Sequence, residues 1–214
     1  MTVDEYFREE QKKRIRNYQD LNELAQKGQI LFTGSSLMEQ FPINEISADH
    51  GLGKVVYNRG VGGYTTDDFL REIDTMLLNL EPSVVFINIG TNDINARFGE
   101  SEWLEHLIGN YDRILSILKR KLPDTRVYVM RYYPVNVKAG KSRGIDLGIR
   151  TNENVNRANE QVKVLAEKYG FTYIDVNEGL TDAEGNLQEA YTVDGIHMYP
   201  KAYEIVYQNL LSYL

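Results

Sequence analysis

The sequence contains no cysteine among its 214 residues and only three histidines, His50, His106 and His197. Without cysteine the chain can form no disulfide, offers no thiol nucleophile and has no thiolate ligand for a metal ion. The three histidines do not occur at the spacing of a histidine metal site. We therefore expect no metal centre.

Long apolar runs are also missing from the sequence. No stretch approaches the length that crosses a membrane, and the first ten residues lack the apolar core of a signal peptide. The net charge of −7 and the pI near 5.1 argue against a nucleic-acid partner. These features predict a soluble, cytoplasmic protein without stable membrane insertion, and its length suffices for one α/β domain spanning residues 1–214.

The sequence does contain a regular alternation of strand and helix patterns. Apolar, β-branched segments predict five strands, at 30–33, 54–58, 83–89, 126–130 and 172–176. Apolar residues at helical spacing predict helices at 67–80, 102–121, 152–169 and 201–214, and a covering helix at about 4–27 that Gly28 ends. This alternation indicates an α/β fold with a parallel sheet and helices on both faces, for which we predict the flavodoxin-like strand order 2-1-3-4-5. The polar segment 132–149 shows neither pattern, which is typical of a lid or a binding loop.

Three polar turns follow predicted strands, and a fourth precedes the last helix. They are Gly34-Ser35-Ser36, the glycine-rich turn 60–63, Gly90-Thr91-Asn92-Asp93 and Asp194-Gly195-Ile196-His197. The carboxyl ends of parallel strands lie on one edge of a sheet, so the first three turns should converge there. Each turn alone has an ordinary explanation, because Ser36 could cap a helix and Asn92 and Asp93 are common turn residues. The glycine-rich turn matches neither a dinucleotide fingerprint nor a P-loop.

Together the four turns contain the groups that acyl transfer needs. On a helical turn Asp194 and His197 would share a face, so that the carboxylate orients Nδ1 and leaves Nε2 free as a base. A serine hydroxyl such as that of Ser36 needs such a base, because its own pKa is too high for attack at neutral pH. The Ser36 and Gly63 N–H groups and the Asn92 amide are suitable donors for an oxyanion.

With Asn58 and Arg59 added before the glycine-rich turn, so that the second block is 58–63, these four blocks resemble the signature blocks of the SGNH (GDSL-type) hydrolases. They occur in the family's order. The second and third blocks are most similar to the platelet-activating-factor acetylhydrolase-like branch. The resemblance implies that Ser36 is the nucleophile, that His197 is the general acid and base, and that Asp194 orients it. It further implies that Gly63 and Asn92 complete an oxyanion hole with the Ser36 amide. The family's fold is a three-layer α/β/α sandwich on a flavodoxin-like sheet, and no metal or organic cofactor is implied.

Two positions depart from the family pattern. The family usually has aspartate before the nucleophile, where this chain has Ser35, and commonly has aspartate after the oxyanion glycine, where it has Tyr64. We expect the Ser35 hydroxyl to bond the turn backbone, and Tyr64 to narrow the mouth of the pocket. With Asp93 and Ile196, these two residues form the expected pocket lining.

The sequence thus predicts a serine esterase or acylhydrolase that cleaves a small ester, with acetyl as the expected acyl group, through an acyl-enzyme. Alternatives are a carbohydrate O-deacetylase, a lysophospholipase-type enzyme, and a catalytically silent binding module on the same fold. Four cations in or beside segment 132–149 could contact an anionic substrate or simply face solvent: Lys138, Lys141, Arg143 and Arg150. The first and last helices could support a homodimer or pack within the chain.

Overall fold

The computed structural model describes residues 1–99 and 101–214, which form a five-stranded sheet flanked by helices. The strands are β1 (Ile30–Gly34), β2 (Val56–Gly60), β3 (Val84–Asn88), β4 (Arg126–Met130) and β5 (Thr172–Ile174). The helices are α1 (Val3–Leu24), α2 (Ser36–Glu39), α3 (Ile43–Asp49), α4 (Thr66–Arg71), α5 (Ile73–Met76), α6 (Trp103–Lys121), α7 (Val137–Ser142), α8 (Asn152–Lys168) and α9 (Pro200–Leu210). Short 3-10 turns lie at Leu78–Leu80, Thr91–Asp93, Ala96–Phe98 and Glu189–Tyr191.

The sheet confirms the predicted fold class. All strand pairs are parallel, and the strand order is β2-β1-β3-β4-β5. Side chains alternate between its faces: Leu31 belongs to one buried cluster and its neighbour Phe32 to the other. The first cluster packs under α1, α4, α5, α6 and α8, and the second under α2, α3 and α9. The three layers are therefore helices, sheet and helices.

Helix α1 is shorter and more exposed than its sequence pattern predicts. It ends at Leu24, and Gly28 belongs to a separate turn, so the prediction that Gly28 ends the helix was wrong. Ile15 and Tyr18 are buried in the first cluster. Four other apolar side chains that contribute to the helical spacing of this segment are exposed: Tyr6, Phe7, Leu21 and Leu24. Only the middle of α1 covers the core.

The predicted helix 67–80 is broken into α4, α5 and a 3-10 turn. The backbone leaves the helical region at Leu77, where φ is −149° and ψ is −62°. Side chains of neighbouring elements take two carbonyls at the break: Asn22 Nδ2 donates to Thr75 O at 2.8 Å, and Thr33 Oγ1 donates to Met76 O at 3.1 Å. These tertiary hydrogen bonds replace bonds that a continuous helix would make internally.

Segment 132–149 is not a free loop, contrary to the prediction. It contains α7, and the Asn136 side chain accepts a hydrogen bond from Ala139 N at 2.8 Å at the start of that helix. Asn136 Nδ2 also donates to Leu187 O at 2.7 Å. Five apolar side chains of the segment are buried: Tyr132, Tyr133, Val135, Ala139 and Leu147. The segment is packed onto the body of the chain.

The remaining bounds differ by a few residues from the predicted ones. β2 begins and ends two residues later than predicted, β5 ends at Ile174 and α9 ends at Leu210. The apolar face of α9 is buried within the chain, so intramolecular packing accounts for it.

None of the helices in the described part of the chain is both long and apolar enough to span a membrane.

Candidate active site

The carboxyl end of β1 delivers Ser36 directly onto the edge of the sheet. Gly34, the last residue of β1, is paired with Gly60 of β2 and with Asn88 of β3. A side chain at Gly34 would collide with the Asn88 carbonyl, and one at Gly60 would collide with the backbone at Glu39. These two glycines let α2 start immediately against the sheet, so that Ser36 is its first residue and Ser35 its N-cap.

Ser36, His197 and Asp194 form one chain of hydrogen bonds. The distance from Ser36 Oγ to His197 Nε2 is 2.9 Å, and that from His197 Nδ1 to Asp194 Oδ2 is 2.6 Å. Because an ionised carboxylate only accepts hydrogen bonds, Nδ1 carries the hydrogen in the neutral ring and Nε2 can accept from Ser36. The three side chains predicted for catalysis are therefore brought together in the order that proton transfer requires.

The loop that carries Asp194 and His197 is a bend and not the expected helical turn. An antiparallel bridge between Thr192 and Met198 closes it. The Thr192 hydroxyl accepts from Gly195 N at 2.8 Å and donates to His197 O at 2.9 Å. Asp194 Oδ1 accepts from the backbone N–H groups of Ile196 at 2.9 Å and His197 at 2.8 Å. Hydrogen bonds made by Asp194 thus replace helical geometry in holding the pair together.

The electrostatics of the pair favour a carboxylate at Asp194. Burial on its own would raise the pKa of Asp194, but the hydrogen bonds from the His197 ring and the two backbone N–H groups lower that pKa below its ordinary value. The side chain is therefore ionised at neutral pH, where it can stabilise an imidazolium at His197.

The expected oxyanion donors line the same edge. Within residues 1–99 and 101–214, neither the Ser36 N–H nor the Gly63 N–H donates to a protein acceptor. Gly62 lies beside the nucleophile, because a Cβ placed on it would be 3.9 Å from Ser36 Cβ. Asn92 Nδ2 donates to Tyr64 O at 2.9 Å, which leaves the second N–H of that amide available. Three donors of the predicted kind are therefore present.

Arg150 contacts this edge from the segment between β4 and α8. Its Nη2 donates to Asn92 Oδ1 at 3.1 Å, so the Asn92 amide is held at both ends. Burial lowers the pKa of Arg150 to about 10, while Asp93 and Asp194 act to raise it, and the guanidinium stays charged at neutral pH. The other three cations of the predicted set are exposed, and Arg143 pairs with Glu189 at 3.6 Å.

The predicted pocket lining is largely incorrect. Ser35 is buried and its hydroxyl has no partner in the described part of the chain, so the expected bond to the turn backbone is absent. The Tyr64 side chain belongs to the buried cluster under α1 and does not narrow a mouth. Asp93 is fully buried and accepts from the backbone and hydroxyl of Thr66 at the start of α4. Of the four residues predicted to line the pocket, Ile196 alone is partly exposed.

Two contacts of the glycine-rich turn were not predicted. Gln11 of α1 donates from Nε2 to Gly62 O at 2.6 Å. Gly62 N donates to the Glu39 carboxylate at the end of α2. The sequence carries no signal for either, since Gln11 lies in a polar run of α1 and Glu39 is one of many acidic residues. Within residues 1–99 and 101–214, no group of three or more His, Asp or Glu side chains is placed so that it could bind a metal ion.

The chain is similar to a known protein family and to solved structures. The model of the GDSL-like lipase/acylhydrolase family matches residues 44–205, so Ser36 and α1 lie outside the matched part. A structure from Streptococcus pneumoniae, provisionally assigned as a platelet activating factor protein, is 28% identical, with a TM-score of 0.87 over 99% of this chain and 95% of that one.

Two curated relatives are similar in sequence. The isoamyl acetate-hydrolyzing esterase of Saccharomyces cerevisiae is 26% identical over 80% of this chain and 77% of its own length. The N-acylneuraminate cytidylyltransferase of Escherichia coli is 25% identical over 86% of this chain, which spans only 40% of that protein. The family match does not favour a silent binding module. The chain belongs to the GDSL-like lipase/acylhydrolase family and is a carboxylic ester hydrolase.

Proposed function

We propose that this hydrolase is a serine esterase for small acyl esters, with Ser36 as nucleophile. The observation that carries the proposal is the hydrogen-bonded chain from Ser36 Oγ through His197 to Asp194, with distances of 2.9 and 2.6 Å. In this arrangement a neutral imidazole can accept the serine proton while the carboxylate stabilises the charge that forms on the ring.

The reaction proceeds in two halves. Ser36 Oγ attacks the ester carbonyl carbon as its proton passes to His197 Nε2, and the oxyanion accepts hydrogen bonds from the Ser36, Gly63 and Asn92 donors. The C–O bond to the alcohol breaks, the alcohol leaves with the proton from His197, and an acyl-enzyme remains. Water then attacks the acyl carbon as its proton passes to His197 Nε2. The bond between Ser36 Oγ and the acyl carbon breaks, His197 returns the proton to Oγ, and the acid leaves.

The preference for a short acyl group, acetyl in particular, is supported by the yeast relative, whose name identifies isoamyl acetate as its substrate. The alternatives of an acetylated carbohydrate and a lysophospholipid are separated from this one by a substrate panel. It comprises p-nitrophenyl acetate, butyrate and octanoate, an acetylated sugar and a lysophospholipid. We expect the highest kcat/KM with the acetate; a maximum with octanoate or the lysophospholipid would contradict the acetyl preference.

The assignment of the nucleophile is tested with Ser36→Ala. Loss of a triad nucleophile typically lowers kcat by about 10⁴-fold or more, and the variant should also fail to react with a fluorophosphonate probe. Ser35→Ala is the matched control, because it removes a neighbouring buried hydroxyl that has no partner within the described residues. Equal rates for the wild type and Ser36→Ala would exclude Ser36 as the nucleophile.

Dimerisation and cytoplasmic location stay predictions.

A further inference from the structure

Helix α1, which the sequence pattern presents as a covering helix, makes direct contact with the glycine turn that supplies Gly63. Gln11 Nε2 donates to Gly62 O at 2.6 Å. The Phe7 ring also lies on this turn, because a Cβ added to Gly63 would be 2.6 Å from Phe7 Cε1. Both side chains lie one turn apart on the same face of α1. This part of α1 therefore packs on the turn and not on the core.

The Gln11 contact acts on the same peptide unit that carries the Gly63 N–H. A peptide group is planar and trans, so its C=O and N–H point in opposite directions. Fixing Gly62 O from one side consequently fixes the direction of the Gly63 N–H on the other side. Gly63 has φ of +74°, which glycine adopts readily, so its own conformation adds little restraint. The orientation of the donor depends on what holds the carbonyl.

A second bond holds the turn from the other end of Gly62. The Gly62 N–H donates to the Glu39 carboxylate, and Glu39 is paired with Arg14 of α1 at 2.6 Å. Helix α1 thus reaches both polar groups of Gly62, directly through Gln11 and indirectly through Arg14. An arrangement that used α1 only to cover the core would need neither contact.

We propose that Gln11 is a positioning residue that aims the Gly63 N–H at the oxyanion. The inference rests on the proposed function, in which Gly63 stabilises the tetrahedral intermediate. Gln11 acts through the peptide and does not touch the substrate, so its loss should lower kcat and leave KM nearly unchanged. Complete removal of an oxyanion donor lowers kcat by about 100- to 1000-fold, and misalignment should cost a part of this, about 10- to 100-fold.

The test is Gln11→Glu, which keeps the shape of the side chain but replaces the donor by an acceptor facing Gly62 O. Gln19→Glu is the matched control, because it makes the same change at an exposed position two turns further along α1. Gln11→Lys retains a donor and should recover most of the activity. Gln11→Met removes the donor without adding charge and is used if Gln11→Glu does not fold, as judged by its thermal melt.

With p-nitrophenyl acetate we expect kcat to fall about 10- to 100-fold for Gln11→Glu, with KM within about threefold of the wild type. Its rate of fluorophosphonate labelling should fall in parallel, because that adduct also places an oxygen in the oxyanion hole. Equal kcat for Gln11→Glu and Gln19→Glu, with Ser36→Ala inactive, would overturn the role of Gln11 and leave the nucleophile assignment intact. An active Ser36→Ala would instead overturn both proposals.

Discussion

Arg150 offers a way to measure how a charge outside the hydrogen-bonded triad supports the oxyanion. Its guanidinium donates to Asn92 Oδ1 at 3.1 Å, and Asn92 donates onward to Tyr64 O at 2.9 Å. Substitution by methionine keeps much of the length and removes both the charge and the donor. In Arg150→Met the Asn92 amide loses one of its two anchors, and the oxyanion loses a nearby positive charge.

The magnitude follows from the geometry of this relay. Two hydrogen-bond links and the intervening amide place the guanidinium about 8 Å from an oxyanion bound by Asn92. At an effective dielectric constant of about 20 this charge pair contributes about 2 kcal/mol. A loss of that size from the barrier lowers kcat about 30-fold. Arg150→Lys keeps the charge but not the planar donor geometry, so we expect an intermediate kcat.

The assay is kcat and KM for p-nitrophenyl acetate, with Arg143→Met as the matched control. Arg143 is a neighbouring cation that contacts Ala139 O at 3.1 Å and Glu189 at 3.6 Å, without a bond to Asn92. Its loss should change kcat by less than about twofold, since such exposed ion pairs contribute little. A kcat for Arg150→Met equal to that of Arg143→Met would refute the relay. A raised KM confined to anionic esters would instead make Arg150 a substrate-recognition residue.

Two further predictions concern stability. Burial raises the pKa of Asp93 to about 6, so the folded state binds the proton more tightly than the unfolded state. The free energy of unfolding therefore falls as the pH rises from about 4 to 6, by up to about 3 kcal/mol. In urea unfolding, the free energy of unfolding of Asp93→Asn should therefore increase relative to that of the wild type over this pH range. A difference between the two proteins that does not change with pH would contradict the raised pKa. On α9, Tyr203→Phe removes the bond to Leu37 O at 2.8 Å and should cost about 1 kcal/mol. Tyr207→Phe should lower the free energy of unfolding less, because it removes a buried hydroxyl without a partner in the described part of the chain. A larger loss for Tyr207→Phe than for Tyr203→Phe would contradict this reasoning.

Much of the fold could be predicted because it depends on local patterns and general topology. β1 and β3 are continuous apolar runs, and strands of this kind alternating with amphipathic helices permit few arrangements. The convergence of Ser36, Gly63 and Asn92 follows from the common edge that parallel strands share. His197 came from chemistry rather than periodicity, since a serine nucleophile needs a base and few histidines are available.

The features that could not be predicted all depend on long-range contacts. The break near Leu77 exists because Asn22 and Thr33 take the carbonyls of residues 75 and 76, and neither donor is adjacent in sequence. The packing of segment 132–149 depends likewise on Asn136 reaching Leu187 O. The predicted position of Tyr64 at the mouth of the pocket was wrong. The prediction considered only the residue type that follows the glycine, whereas the side chain packs in the buried cluster under α1.

The position of Ser36 in the chain explains why the site needs almost its whole length. Ser36 and His197 are 161 residues apart, and their hydrogen bond joins the end of the first strand to the loop before the last helix. A second hydrogen bond joins the same regions, from the Tyr203 hydroxyl on α9 to Leu37 O. Because Leu37 follows Ser36 and Tyr203 lies on the helix after His197, this bond fixes the separation of nucleophile and base. Tyr203→Phe should therefore lower kcat as well as stability, whereas Tyr207→Phe should affect neither strongly.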